Sequence, residues 1–229
     1  MTTISNFRID TYSKQSFFDR WGILSRFVQK ICDGRDSSHG HAHMQSVAIT
    51  TMRITGADYS NHPNFDSLIL DAITVGWLHD VSDHKYDHDG TLDSKLDEFG
   101  FKNIPNFAEI KQVIKLISFS SENKAILTGN PINYEYELGP DYAIVRHIVS
   151  DADKLEAIGL VGIKRCMQYT MHYNPELTED ELVRAVQVHA KEKLLRLKDE
   201  FIRTETGKRL AITLHQEMVD ELNKMYYEQ

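Results

Sequence analysis

The chain has 229 residues, 41% apolar and 26% charged, a composition suited to a folded chain with a substantial core. Its 26 basic and 34 acidic side chains leave a formal charge of −8, which argues against duplex nucleic acid as a partner, because such binding rests on phosphate neutralisation by Lys and Arg. Cys32 and Cys166 stand far apart in no C-x-x-C spacing, which excludes a zinc finger or disulfide scaffold; with no long apolar run and no signal-peptide core, a cytoplasmic protein without membrane contact is expected.

Helical periodicity dominates the chain order. Residues 14–32 place Phe17, Phe18, Trp21, Leu24, Phe27, Val28 and Ile31 at steps of three and four, which predicts an amphipathic helix. A second helix is predicted from Ser38 to about Thr55, with Ser37 or Ser38 as N-cap and Gly56 just past its end. Residues 66–80 are mostly apolar and predict a central helix, and 106–118, after Pro105, presents Ile110, Val113, Ile114 and Ile117 on one side. Two further helices, 141–156 and 159–173, are expected to meet near Gly159, followed by a long charged helix over 178–203 and a last one from Gly207 to Tyr227. The segment 119–140, with Asn-Pro, Gly and scattered aromatics, reads as an irregular loop. No alternating strand, internal repeat or linker is visible, so the expected fold class is all-α, in a single domain over 1–229 with a core at about 15–227.

Chemistry concentrates where polar residues interrupt this apolar pattern. The run Trp77-Leu78-His79-Asp80-Val81-Ser82-Asp83-His84-Lys85-Tyr86 carries an apolar helix straight into adjacent His and Asp. Charged Asp is seldom buried unless it is paired or holds a metal, and imidazole with carboxylate suits a borderline divalent ion. A second carboxylate source is Ser150-Asp151-Ala152-Asp153-Lys154-Leu155, where helical geometry sets Asp151 and Asp153 about 200° apart, so one of them faces a given cavity. Upstream, histidines stand at 39, 41 and 43. On a helix His39, His43 and Val47 share a face while His41 turns away to the surface, so at most two of the three serve one site. A strand-borne H-x-H motif lacks both the preceding strand and the Asp-His pair it needs.

His43-x-x-x-Val47, then His79-Asp80, then Ala152-Asp153-x-Leu155 resembles the ordered H…HD…D signature of the HD-domain metal-dependent phosphohydrolases. The resemblance is closer to the uncharacterised HD hydrolases similar to YedJ. It rests there on Ser38-His39, Leu78 through Tyr86, Ser118-Phe119-Ser120, Asp151 through Gly159, Glu192 through Leu197 and Thr204 through Ala211, and it spans roughly residues 15 to 227.

This resemblance implies a single HD-domain helical bundle in which His43, His79, Asp80 and Asp153 are the four ligands of one divalent metal ion (Mn, Fe, Co, Ni, Mg or Zn). Asp153 matches the family carboxylate, which leaves Asp151 to order a neighbour or form a cap. Asp83, three residues after Asp80, stands where relatives carry a Glu acting on the attacking water, so it is the candidate general base or acid. His84 and Lys85 are expected to offer positive charge to the reacting phosphate, with Lys154 doing so from the other helix and His39 orienting His43 or touching the ligand. The expected activity is metal-dependent hydrolysis of a small phosphorylated, nucleotide-like substrate by a monomer or homodimer. The rival readings are a non-catalytic, metal-stabilised nucleotide-binding module and a two-iron oxidative enzyme; the latter lacks the extra histidines its second metal needs.

Overall fold

The structure is a computed structural model that describes residues 11–35 and 40–227. Every regular element in it is helical, with no strand among the described residues. In chain order these are α1 (Thr11–Ile31), α2 (His41–Asp58), α3 (Phe65–Leu78), α4 (Thr91–Asn103), α5 (Phe107–Lys115), α6 (Phe119–Leu127), α7 (Tyr134–Leu138), α8 (Pro140–Glu156), α9 (Gly159–Tyr173), α10 (Glu179–His189) and α11 (Glu205–Tyr227). No helix among them is long and apolar enough to cross a membrane.

The central element is α3. Nine of its residues from Leu68 to Leu78 are buried, because the run is apolar on nearly every side and is enclosed by α1, α2, α5 and α8. At Gly76 the α2 backbone comes so close that an added Cβ would stand 3.2 Å from the Ala48 Cα, so glycine sets the spacing between α2 and α3. Around α2, α3 and α8 one apolar core runs from Leu24 to Leu222, including Met44, Trp77, Ile148, Phe201 and Met218.

Two acids anchor the start of α11, where unpaired backbone N–H groups need acceptors. Asp151 accepts from the Arg203 and Thr204 amides and from the Thr204 hydroxyl, at 2.7–3.1 Å. Asp58, at the end of α2, accepts from the Thr206 amide at 2.8 Å and its hydroxyl at 2.5 Å.

Several sequence expectations need correction. Residues 119–140 are not an irregular loop: they hold α6, capped by Ser118, and the short α7, capped by Asn133. Besides Phe119 and Ile126, which pack on the core, α6 is held by charge. Its Glu122, 2% exposed, accepts from Arg146 at 2.9 Å, Lys154 at 3.0 Å and Arg203 at 2.9 Å, tying α6 to α8 and to the segment before α11. Helix α4 is a further element, which no apolar period in the sequence predicts. α2 starts at His41 with Gly40 as N-cap and continues through Gly56 to Asp58, while Ser37 and Ser38 lie outside the described residues. The expected helix at 178–203 changes winding: after His189 it is π-helical over Ala190–Leu194 and again over Leu197–Phe201.

Glu122 sits at the meeting point of three cations, two of them buried, so its removal strands charge. Glu122→Ala is expected to cost about 3–5 kcal/mol in urea unfolding. Burial alone would raise the Glu122 carboxyl, but Arg146, Lys154 and Arg203 bring it down to about 2 from an ordinary 4.5. A depressed carboxylate stabilises fully above its unfolded pKa and less as pH falls through the folded one. The stability gap between wild type and Glu122→Ala should therefore be full at pH 7 and shrink between pH 4.5 and pH 2, read by urea titration at each pH.

Candidate metal centre

Three helices bring four side chains together. His43 lies in the first turn of α2, His79 and Asp80 follow directly on the C-terminus of α3, and Asp153 sits near the end of α8. His43 Nε2 is 3.7 Å from Asp80 Oδ2 and 3.4 Å from Asp153 Oδ1, and His79 Nε2 is 3.6 and 3.7 Å from the same two oxygens. The imidazoles are 2% and 1% exposed, the carboxylates 22% and 35%, so the histidines form the floor and the acids the mouth.

Local chemistry explains why the rings point inward. His79 Nδ1 lies 2.9 Å from the Gly76 carbonyl. A carbonyl only accepts, so Nδ1 carries the proton and donates, leaving Nε2 as the basic nitrogen aimed between the carboxylates. That Nε2 is buried and has no hydrogen-bond partner. Arg35, just past α1, supports the turn from beneath: its guanidinium donates to the carbonyls of Asp80 at 2.9 Å and Val81 at 2.6 Å and lies 4.5 Å from the centre of the Tyr86 ring.

The electrostatics favour positive charge at this point. Burial penalises a charged His79, yet Asp80 and Asp153 outweigh it and lift the imidazole to about 9. Burial would raise both acids, but the two histidines hold Asp80 and Asp153 well below the usual carboxylate range. The donor set fits a divalent cation. Donors about 2.1 Å from a shared ion lie roughly 3.0–3.4 Å apart in tetrahedral or adjacent octahedral positions, close to the spacings here. Donor atoms of His43, His79 and Asp80 all lie within 4.8 Å of one another, and the buried His79 Nε2 faces the two carboxylate oxygens at distances longer than an ordinary hydrogen bond. Two nitrogens and two oxygens match a borderline or harder ion, with no thiolate to favour a soft one.

The remaining expected residues fall as follows. Asp153, not Asp151, faces the imidazoles; Asp151 is spent on the start of α11. Asp83 lies one turn beyond Asp80, and its Oδ1 accepts from the Lys85 amide at 2.9 Å, with His84 Nδ1 at 3.2 Å. His84 is otherwise in solvent, at 91% exposure. The Lys85 ammonium lies 5.5 Å from the centre of the Tyr169 ring. Lys154 is a correction: it is 3% exposed and donates to Glu122 and Ser150, so it is a structural cation and does not reach toward the cluster. His41 does turn away from His43, but to a half-buried place rather than the surface, 3.0 Å from the Ser25 hydroxyl and against Trp77. His39 lies outside the described residues.

Sequence reasoning missed Arg35 and Glu122. Arg35 stands in a polar loop and acts on backbone carbonyls 45 and 46 positions away, which leave no residue-type signal. Glu122 is an acid at a core position, which an apolar pattern reads as surface.

No protein-family model matches the chain. Uncharacterized protein YpgQ of Bacillus subtilis is 28% identical over 206 residues, covering 88% of this chain and 90% of YpgQ. A solved structure of YpgQ in complex with ADP superposes with a TM-score of 0.67, covering 93% of this chain and 97% of that one, with 20% identity over the superposed residues. A Lactobacillus plantarum protein gives a TM-score of 0.67 at 21% identity, over 92% of this chain and 96% of its own. An HD-superfamily hydrolase from Bacillus thuringiensis gives 0.56 at 20%, over 94% and 97%. The all-α fold is thus the one those chains share.

If Asp153 holds a cation and Asp151 holds α11, their isosteric amides separate the two roles. Asp153→Asn is expected to lower the divalent metal retained after purification at least 10-fold with little change in melting temperature. Asp151→Asn is expected to keep the metal and lose about 1–3 kcal/mol of stability. Elemental analysis and thermal unfolding of both variants check this.

Proposed function

We propose that this chain is a metal-dependent phosphohydrolase of the HD-domain superfamily, in the subgroup similar to YedJ, acting on a small phosphorylated, nucleotide-like substrate. The observation that carries the proposal is the convergence of the buried His43 and His79 on Asp80 and Asp153, whose carboxylates are partly exposed. Likeness in fold to an HD-superfamily hydrolase and to YpgQ, which is known in complex with ADP, supports the reaction class and the kind of ligand.

In this reading His43, His79, Asp80 and Asp153 hold one divalent ion. When bound, such an ion supplies a Lewis acid that draws charge from a phosphate oxygen and acidifies water at neutral pH. The protein residues do the rest. Gly76 fixes the His79 tautomer, and Arg35 pins the Asp80–Val81 carbonyls so that the Asp80 carboxylate keeps its aim. Asp83, immobilised by the Lys85 amide, takes a proton from the attacking water and returns one to the leaving oxygen. Lys85 and His84, on the turn after Asp80, meet the negative charge that grows on phosphorus-bound oxygens. Cleavage breaks one P–O bond of a phosphomonoester or phosphoanhydride while water supplies the new one.

Phosphate release from a panel of nucleotides, with Mn, Co, Ni or Mg added, tests the proposal. Wild type is expected to release phosphate from at least one member. Asp80→Ala should lose at least 10³-fold, since it removes both a ligand and the charge beside His79, and Asp83→Asn should fall about 10²- to 10⁴-fold with its metal retained. Equal release by wild type and Asp80→Ala across the panel would sink the hydrolase reading.

A further inference from the structure

Against the turn that carries Asp80 lies a cavity of about 310 Å³, at the small end of the range for ligand sites. None of the four cluster side chains lines it. Its walls come from the end of α1 and the turn after it, from Tyr86 and Leu92 around the start of α4, and from the end of α9.

The run Cys32-Asp33-Gly34-Arg35 folds as a tight turn, in which the Arg35 amide donates to the Cys32 carbonyl at 3.1 Å. Gly34 has a φ of +79°, left-handed backbone that glycine adopts without strain, and an added Cβ there would meet nothing within 4 Å. Both Asp33 and Arg35 line the cavity. Arg35 is also the link to the candidate metal centre. Its guanidinium donates to the Asp80 and Val81 carbonyls at 2.9 and 2.6 Å, and lies 4.5 Å from the centre of the Tyr86 ring, itself part of the cavity wall. The cavity and the turn bearing Asp80 therefore share one side chain.

The end of α9 adds aromatic surface. Tyr173 and His172 both line the cavity and meet edge to face at 5.0 Å, and Tyr173 packs on Tyr169 at 4.6 Å. Tyr173 is 49% exposed and Tyr169 37%, so this group of rings leaves apolar surface in solvent. Scattered exposed aromatics are ordinary, whereas contiguous ones at the edge of a concavity form a surface that another ring can cover. The charges narrow the choice of ligand. One carboxylate, Asp33, and one guanidinium, Arg35, cancel, and the guanidinium is already engaged with two carbonyls. A phosphate finds no net positive field here. An uncharged ring with polar edges fits better: Asp33 can accept from its N–H groups, and Tyr173 offers a face for stacking.

We infer that this cavity is a binding site for a planar nitrogen heterocycle of the nucleobase class, joined to the candidate metal centre through Arg35. That the ring belongs to a nucleotide whose phosphates lie at the His43–His79–Asp80–Asp153 cluster rests on the phosphohydrolase reading; the chemistry of the cavity does not. A separate nucleoside carries the same ring, and binding measurements tell the two sources apart.

Calorimetric titration of the Mn(II)-loaded full chain compares adenosine, guanosine, cytidine and uridine, their diphosphates, and inorganic pyrophosphate as the ligand without a ring. At least one nucleoside diphosphate is expected to bind about 10- to 100-fold more tightly than pyrophosphate, the gain that one stacked base confers. Tyr173→Ala should remove most of that gain, with pyrophosphate affinity, metal content and melting temperature as in wild type. Tyr173→Phe should keep it, and so should Tyr136→Ala, which removes an 84% exposed ring outside the cavity. A free nucleoside that binds beside pyrophosphate, and does so more weakly in Tyr173→Ala, supports the cavity with a separate molecule as the source. The inference is overturned if wild type binds no nucleoside and no diphosphate better than pyrophosphate, if Tyr173→Ala leaves the ring-dependent affinity unchanged, or if it loses metal or stability along with that affinity. Should ring-dependent binding hold while wild type and Asp80→Ala release phosphate equally, the cavity stands and the hydrolase reading falls.

Discussion

Two imidazole nitrogens, each held 3.4–3.7 Å from the same two carboxylate oxygens at the junction of α2, α3 and α8, form the constraint around which the rest of the molecule is arranged. Their separations are long for direct hydrogen bonds and suit donors around a shared cation. Keeping them so requires a rigid floor. α3 supplies it by being apolar on nearly all sides, and Gly76 lets α2 approach closely enough for His43 to reach His79. The same Gly76 carbonyl then sets which nitrogen of His79 faces the gap.

The third helix of the trio, α8, is oriented by charge as much as by apolar packing. Its outer turns carry Arg146, Asp151 and Lys154, all buried and all committed to partners: Glu122 of α6 for the two cations, and the start of α11 for Asp151. Buried ion pairs give little net stability over apolar packing, but they penalise any register in which a partner is missing. A one-residue slip of α8 would strand three charges. We read the network as the device that keeps Asp153, and no neighbour, turned toward the histidines.

Much of this was legible in the sequence, for identifiable reasons. α1, α3, α8, α9 and α11 carry apolar faces at helical spacing, so their limits fell within a few residues of those observed. The cluster was legible because polar residues break otherwise apolar helices at His79-Asp80 and at Asp153, and because an ordered H…HD…D pattern resembles a known family. What stayed hidden depends on distant or polar contacts. α4 buries only Leu96 and Gly100 and reads as a polar stretch. α6 is placed by Glu122, whose partners lie 24, 32 and 81 positions away. Lys154 has the same spelling whether it faces solvent or Glu122. The π-helical turns at Ala190 and Leu197 leave the residue pattern of a plain charged helix unchanged.

The central claim is that the four side chains make one cation site and that His79 Nε2 is aimed into it. Titration of Mn(II) into the chelator-stripped chain, with free ion counted by electron paramagnetic resonance, tests this most directly. The account predicts one tightly held ion per chain for wild type and none held tightly by His79→Ala. Two tight ions per chain, or an undiminished tight ion in His79→Ala, would contradict it.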